Sequence, residues 1–404
     1  MSNTGKMNVP ELRFPEFEGE WEEKELGEIF QIISGSTPLK SNKEFYENGN
    51  INWVKTTDLN NSKVTHSKEK ITEYAMKSLK LKLVPKNSVL IAMYGGFNQI
   101  GRTGLLKIDA TINQAISALL MNHETNPEFI QAYLNYQVKG WKRYAASSRK
   151  DPNITKKDIE QFKVPYVSIN EQQKIGEFFS KIDDQIELEE QKLELLQQQK
   201  KGYMQKIFSQ ELRFKDENGD DYPEWEEKKM GEITTMFSGG TPQSTNTRYY
   251  KGDIPFIRSG EISKTYTEMK INEEALNNSS AKLVEVGDLL YALYGATSGE
   301  VAISKINGAI NQAVLCIRTN ESIEFLLNYL FFSKNKILNT FIQGGQGNLS
   351  ANIVKNLIIE IPTIIEQRKI GDFFCNIDNL IEIQERKLEF LKQRKQSLLQ
   401  KMFV

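Results

Sequence analysis

Histidine and cysteine are almost missing from this chain of 404 residues, each occurring only twice. His66 and His123 lie in polar stretches, and Cys316 and Cys375 are far apart with no CxxC spacing. No metal site and no histidine-based nucleophile relay can be assembled from them at a recognised spacing. Both cysteines fall in apolar segments and read as buried small apolar residues kept reduced in a cytosol. Long apolar runs are also lacking: nothing approaches the ~20 residues of a membrane span, and the start MSNTGKMNVPELRF has no apolar signal core. The expected location is the cytoplasm.

Charge of one sign is missing too. The formal net charge is −1, so whole-chain electrostatics neither predict nor exclude a nucleic-acid partner, and only local clustering can. Enzyme motifs fail at their deciding positions. In GFNQIGRT, Gly96 to Thr103, Arg102 stands where a phosphate loop needs lysine, and the aligned GATSGEV has no base at all. DPNI at Asp151 and DIPF at Asp253 lack the double proline and following ring of amino-methyltransferase motifs. Neither nucleotide hydrolysis nor methyl transfer is expected of this chain, and the glycine stretches read as surface loops.

What is present is enough apolar material for real cores: 39% hydrophobic residues, with 21 Phe and 15 Tyr. The length allows two or three domains. A search for self-similarity finds a tandem repeat. ELRF at Glu11 recurs at Glu211, WEEKELGEI at Trp21 as WEEKKMGEI at Trp225, and SGSTP at Ser34 as SGGTP at Ser238. INQA at Ile112 recurs at Ile310, and EQQKIGEFF at Glu171 as EQRKIGDFF at Glu366. The offset is 200 at ELRF, 204 at the next two blocks, 198 at INQA and 195 at the last, so similar frames carry different inserts.

Each copy has two parts. The first holds short apolar runs such as SVLIAM (Ser88 to Met93) and DLLYAL (Asp288 to Leu293) between Gly, Asn and Pro punctuation, which predicts strands and turns. Asn126 and Pro127 predict a helix from Pro127 to Ala146, with a counterpart from Ser322 to about Phe341. The class is α+β. The second part is a long helix, Glu171 to Phe208 and Glu366 to Phe403, free of proline. Its heptad stripe runs Ile175/Phe179, Ile182/Ile186, Glu189/Leu193, Leu196/Lys200, Tyr203/Ile207 in one copy and Ile370/Phe374, Ile377/Ile381, Gln384/Leu388, Leu391/Lys395, Leu398/Met402 in the other. These are coiled-coil seams, and each helix would span about 57 Å. The domain boundaries expected are 1–164, a spacer helix 165–210, then 211–360 and a second spacer 361–404.

DNA binding has local support. The stretch KGWKRYAASSRKDPNITKK, Lys139 to Lys157, carries seven Lys or Arg against one Asp, with Trp141 and Tyr144 interleaved. From it Lys142, Arg143, Ser147, Ser148, Arg149 and Lys150 are taken as candidate contacts. The matching FIQGGQGNLS offers Gln343, Gln346 and Asn348 as readers. Loops after SGSTP and SGGTP supply Lys40, Asn42 and Lys43 in one copy and Gln243, Asn246, Arg248 and Tyr249 in the other. The glycine loops add Phe97, Asn98, Gln99, Thr297 and Ser298. Side chains that differ on a shared frame suit two different targets.

Taken in this order and twice over, the SG-x-TP segments, LIAMYGG and LYALYGA, the INQA strings and the IP lead into EQ-x-KIG-x-FF resemble the specificity subunits of type I restriction-modification enzymes, across essentially the whole chain. The resemblance implies two target recognition domains, each reading half of a split, asymmetric site, and two helices that pair antiparallel and fix the gap. It further implies two modification subunits that bind S-adenosylmethionine and methylate adenine, and restriction subunits that use ATP and Mg. This chain would hold no cofactor and no catalytic residue. A coiled-coil scaffold binding nucleic acid or protein without sequence preference is the alternative, an enzyme with an unrecognised site a third reading, and a type II-like partner system a variant of the first.

Overall fold

A computed structural model describes residues 8–96, 98–146, 153–341 and 348–403. Within it the chain divides into two units, Met1–Gln191 with Arg386–Val404, and Lys192–Glu385. Among the described residues no helix is long and apolar enough to cross a membrane.

The apolar runs become the buried centre of a sheet in each copy. In the first unit, Val89–Ala92 sits inside a five-stranded sheet ordered Gln31–Ser34, Ile116–Leu120, Val89–Ala92, Thr103–Leu106, Ser62–Val64. Side chains alternate across a strand. Val89 and Ile91 therefore join one core with Leu119 and Phe129, while Leu90 and Ala92 join another with Val54 and Ile112. A strand buried on both faces reads as a continuous apolar run, as this one does. The second unit repeats the arrangement with four strands, Thr234–Ser238, Val314–Thr319, Leu289–Ala292, Val301–Ile303. A smaller sheet built on Ile51–Val54 or Ile254–Ile257 completes each copy, and a two-stranded ribbon closes it, Glu22–Glu25 on Lys163–Tyr166 and Glu226–Lys229 on Ile358–Ile361.

Two long helices follow the ribbons, α1 at Ile169–Phe208 and α2 at Ile364–Met402. The EQ dipeptide at the start of each explains its recurrence. Glu171 and Glu366 are buried and accept the guanidinium of Arg13 or Arg213 from the preceding ELRF segment, at 2.7 and 2.8 Å. Gln172 and Gln367, also buried, accept the backbone N–H of Asn126 or Ser322 at 3.0 and 3.1 Å, where the helices Pro127–Tyr136 and Ile323–Phe341 begin. A short ELRF strip is thus riveted to a helix start in both copies. Leu12 N–H also donates to the carbonyl of Lys401 at 2.8 Å, as Leu212 N–H does to Lys206 at 3.0 Å.

The helices run antiparallel. In the first unit Asp183 pairs with Lys395, Glu189 with Lys387 at 2.8 Å and Glu190 with Lys392 at 2.6 Å; in the second, Lys200 pairs with Asp378 at 2.6 Å. Burial pushes the Asp183 carboxyl up, against the pull of Lys395. Aromatic stacks end each seam: Phe179 on Phe403 and Phe374 on Phe208, both at 5.8 Å between centroids. Near the helix C-termini the stripe slips by one residue. Tyr203 is exposed and Met204 buried, and Leu399 is more buried than Leu398. A straight helix drifts about 20° per heptad against a strict seven-residue repeat, which accounts for the slip.

Two other expectations are corrected. The helix foreseen from Pro127 to Ala146 is two, Pro127–Tyr136 and Val138–Ala146, broken at Gln137, whereas its counterpart Ile323–Phe341 is continuous. The break turns Trp141 into the core, where it stacks on Phe162 at 3.8 Å and is fully buried. Trp141 is therefore packing and not a platform for bases; the Tyr144 side chain lies outside the described part. Cys316 is buried, which pushes its thiol up to about 12, but Cys375 is exposed on α2. Its position falls off the seam, one residue beyond Phe374.

Candidate nucleic-acid interface

At one end of each sheet, segments far apart in sequence meet on backbone hydrogen bonds. In the first copy Met93 N–H donates to the Ala115 carbonyl at 2.8 Å, and Ile154 N–H to the Met93 carbonyl at 2.9 Å. In the second, Leu293 N–H donates to Ala313 at 2.8 Å, and Leu349 N–H to Leu293 at 2.9 Å. The glycine loops, the INQA turns and the segments leading to the last short helices therefore share one tip per copy. The SG-x-TP segments join them by close approach: a Cβ on Gly35 would lie 1.8 Å from the Ile112 carbonyl oxygen, and one on Gly239 1.8 Å from that of Ile310. Only glycine fits there.

Beyond the SG-x-TP segments the two loops share one frame. Tyr46 donates its hydroxyl to the Pro38 carbonyl at 2.6 Å, and Tyr250 to Pro242 at 2.7 Å. Asn42 and Asn246 are half-buried, and their side-chain oxygens accept from Glu44 N–H (3.1 Å) and Arg248 N–H (3.3 Å), capping a turn of 3-10 helix. Their oxygens serve the frame. Lys40, Lys43, Gln243 and Arg248 are exposed, while Tyr249 packs beside Phe256 and Ile271. The copies thus put Lys43 where Thr247 stands and Glu44 where Arg248 stands.

The glycine loops differ in length and charge. Ala92 N–H donates to the Arg102 carbonyl and Ala292 N–H to that of Glu300, both at 2.8 Å, so a cation and an anion occupy equivalent places. Arg102 reaches the Asn98 carbonyl at 3.1 Å, and Glu300 pairs with Lys334 at 2.5 Å. Asn98 is exposed; Gln99 is half-buried with its side-chain oxygen enclosed and unpartnered. Thr297 donates to the Tyr294 carbonyl at 3.4 Å, and buried Ser298 to that of Leu293 at 3.0 Å.

Lys142 is half-buried and Arg143 exposed on the helix Val138–Ala146, which lies against this loop through Gly101 and Trp141. Asn348 is exposed beside Leu349. Phe97, Ser147, Ser148, Arg149, Lys150, Gln343 and Gln346 lie outside the described residues. The sequence reading passed over the reversal between Arg102 and Glu300 and the exposed Gln114 and Gln312 of the INQA turns. The signal for the glutamines was their identity in both copies. Amides, hydroxyls and cations gathered at a tip, with no paired catalytic groups among those named, suit hydrogen bonding to phosphates and base edges.

A family model described as "Type I restriction modification DNA specificity domain" matches residues 18–198 and again 222–393. The MjaIX type I restriction enzyme specificity subunit of Methanocaldococcus jannaschii is 24% identical over 95% of this chain and 92% of its own length. The EcoR124I/EcoR124II specificity subunit of Escherichia coli is 34% identical over 43% of each chain. Among solved structures, the S subunit from M. genitalium superposes with a TM-score of 0.64 at 17% identity, covering 98% of this chain and 99% of the other. A chain from a type I R-M assembly gives 0.57 at 16% identity, covering 95% and 97%. These structures share the fold.

Proposed function

This chain belongs to the family of type I restriction modification DNA specificity proteins and carries their domain twice, and from that premise we propose that each copy reads one half of a split, asymmetric duplex sequence while α1 and α2 set the gap between the halves. As a member of the family it is a DNA-recognition subunit without catalysis of its own, assembling with the other subunits of its restriction-modification enzyme. The recognition domains are residues 1–164 and 211–360, and the spacers 165–210 and 361–404. Two methyltransferase subunits dock on the paired helices, bring S-adenosylmethionine and methylate adenine; restriction subunits bring ATP and Mg. The complex works in the cytoplasm.

The observation that carries this reading is the pair of tips: one frame, held by the same hydrogen bonds in both copies, presenting different side chains. A repeated frame offers equivalent docking sites to two partner subunits, while the inserts make the DNA target asymmetric. An adenine must leave the stack before its amino group can be reached, and a subunit holding both half-sites fixes where that happens. Lys40, Lys43, Asn98, Gln99, Lys142 and Arg143 in one copy, with Gln243, Arg248, Thr297 and Asn348 in the other, surround the contact surface. Phe97, Ser147, Ser148, Arg149, Lys150, Gln343 and Gln346, outside the described residues, are assigned to the same contact surface. Asn42, Asn246, Tyr249 and Ser298 shape it.

The test is methylation of random-sequence DNA by this chain co-purified with its methyltransferase, mapped at single-base resolution against either protein alone. Adenine methylation confined to one split motif, and requiring both proteins, is expected. Scattered methylation, indifferent to sequence, would favour a scaffold without base preference.

A further inference from the structure

The INQA turns are identical in copies whose tips otherwise diverge, and the two central residues divide the work. Asn113 braces its turn: its side-chain oxygen accepts Ala115 N–H at 3.2 Å, and its own N–H donates to the Val54 carbonyl at 3.0 Å. Asn311 repeats this with Ala313 at 3.0 Å and Ile257 at 3.4 Å. The next residue, Gln114 or Gln312, is exposed, and the turn is already braced without it. The turn's own brace calls for no glutamine in either copy.

We infer that Gln114 and Gln312 are equivalent contacts to the DNA backbone, each clamping a phosphate of its own half-site irrespective of sequence. Two domains that read different bases share only what every duplex offers, the sugar–phosphate chain, so an identical outward side chain on a common frame serves that shared feature. The amide's geometry points the same way. The Gln312 side-chain oxygen already accepts the hydroxyl of Thr241, which leaves the NH2 of this exposed residue as the end still to be paired. Donors alone suit a phosphate, whereas reading adenine takes donor and acceptor together. Thr241 is the threonine of SGGTP, so this strip orients the clamp beside the variable loop; Thr37 holds the same place in SGSTP.

The inference rests on the proposed reading, and the experiment separates the two. The complex with its methyltransferase is titrated with a duplex carrying the mapped motif, with duplexes changed at one base of a half-site, and with duplexes bearing a single neutral methylphosphonate. Gln114→Ala should weaken binding about tenfold, by the same factor for the motif and for each changed base of the first half, with an unaltered unfolding midpoint. One methylphosphonate in that half should weaken the unsubstituted protein and leave Gln114→Ala no weaker than before. Gln312→Ala should map to the other half, and Gln114→Glu should weaken binding further than alanine does, because a carboxylate faces the phosphate. Unchanged affinity in the alanine variants, or a loosened preference at one base position, would overturn the inference while motif recognition stood. An unsubstituted complex with no preference for the motif would sink the reading itself.

Discussion

The two copies agree where they meet their helices and differ in most of the loop side chains they present outward. Both rivet an ELRF arginine to a buried glutamate, both use a buried glutamine to hold the start of the helix Pro127–Tyr136 or Ile323–Phe341, and both end their seams on a phenylalanine stack. At the tips, Lys43 gives way to threonine, Glu44 to arginine and Arg102 to glutamate, and the glycine loop shortens by two residues. The lesson is a division of labour. What must fit a common partner, a common spacer or the sugar–phosphate chain is the same in both copies, and what reads the bases is free to differ. The second copy also loses a strut: Lys63 pairs with Asp184 on α1, whereas Asn379 stands at the corresponding step of α2.

The largest effect should come from the shared rivet. Removing a buried carboxylate strands its arginine, at a cost of about 3–5 kcal/mol. Glu171 also accepts the indole N–H of Trp21 at 3.2 Å, while the indole nitrogen of Trp225 is buried without a partner. Glu171→Ala should therefore destabilise its unit about 1 kcal/mol more than Glu366→Ala does the other, read by hydrogen exchange resolved along the chain. Equal losses would mean that the Trp21 bond contributes nothing.

Next come the glycines that close the variable loops. Gly101 has φ +76°, and a Cβ there would sit 2.8 Å from the Trp141 Cβ; Gly299 has φ +81° and would meet the flexible Lys334 side chain at 3.1 Å. Both alanine variants suffer about 1–2 kcal/mol of left-handed strain, but only Gly101→Ala adds overpacking of about 1–3 kcal/mol. Denaturant titration should rank them so; the reverse order would deny Trp141 its role as a fixed wall.

The smallest effect is in acid. Asp288, where the first copy has Ser88, is pushed up by burial but more strongly held down by two hydrogen bonds from Arg318, at 2.8 and 2.7 Å, and by the Glu285 N–H, so its carboxyl lies below the ordinary range. A depressed folded pKa contributes stability that is present above the unfolded value, about 3.9, and lost as pH falls through the folded one. Below about pH 4 the second unit should lose stability that an Asp288→Ser variant, stripped of the pair, has already forgone at neutral pH. Arg318 is 44% exposed, which limits the difference to about 1 kcal/mol or less. Parallel acid titrations of the two proteins would contradict this.

The frame was legible in the sequence because its rules are local and periodic. Heptads marked α1 and α2 to within two residues of their observed starts, and apolar runs marked both central strands. The tips were legible only as places. That Trp141 is a wall and not a platform is decided by Gly101, forty residues earlier, and that Asn42 caps a turn depends on a 3-10 helix no pattern announced. The glutamines of INQA were seen as a mark of repetition, since exposure and bracing appear only once the turn is built.

The most direct test of the division of labour is a chimera in which residues 21–166 replace residues 225–361, cut where the two closing ribbons correspond. Methylation by this chimera with its methyltransferase, mapped at single-base resolution, should fall on the first half-site and its inverted copy across an unchanged gap. Methylation that kept the original second half-site would contradict the account, because no residue of the second tip would remain to read it.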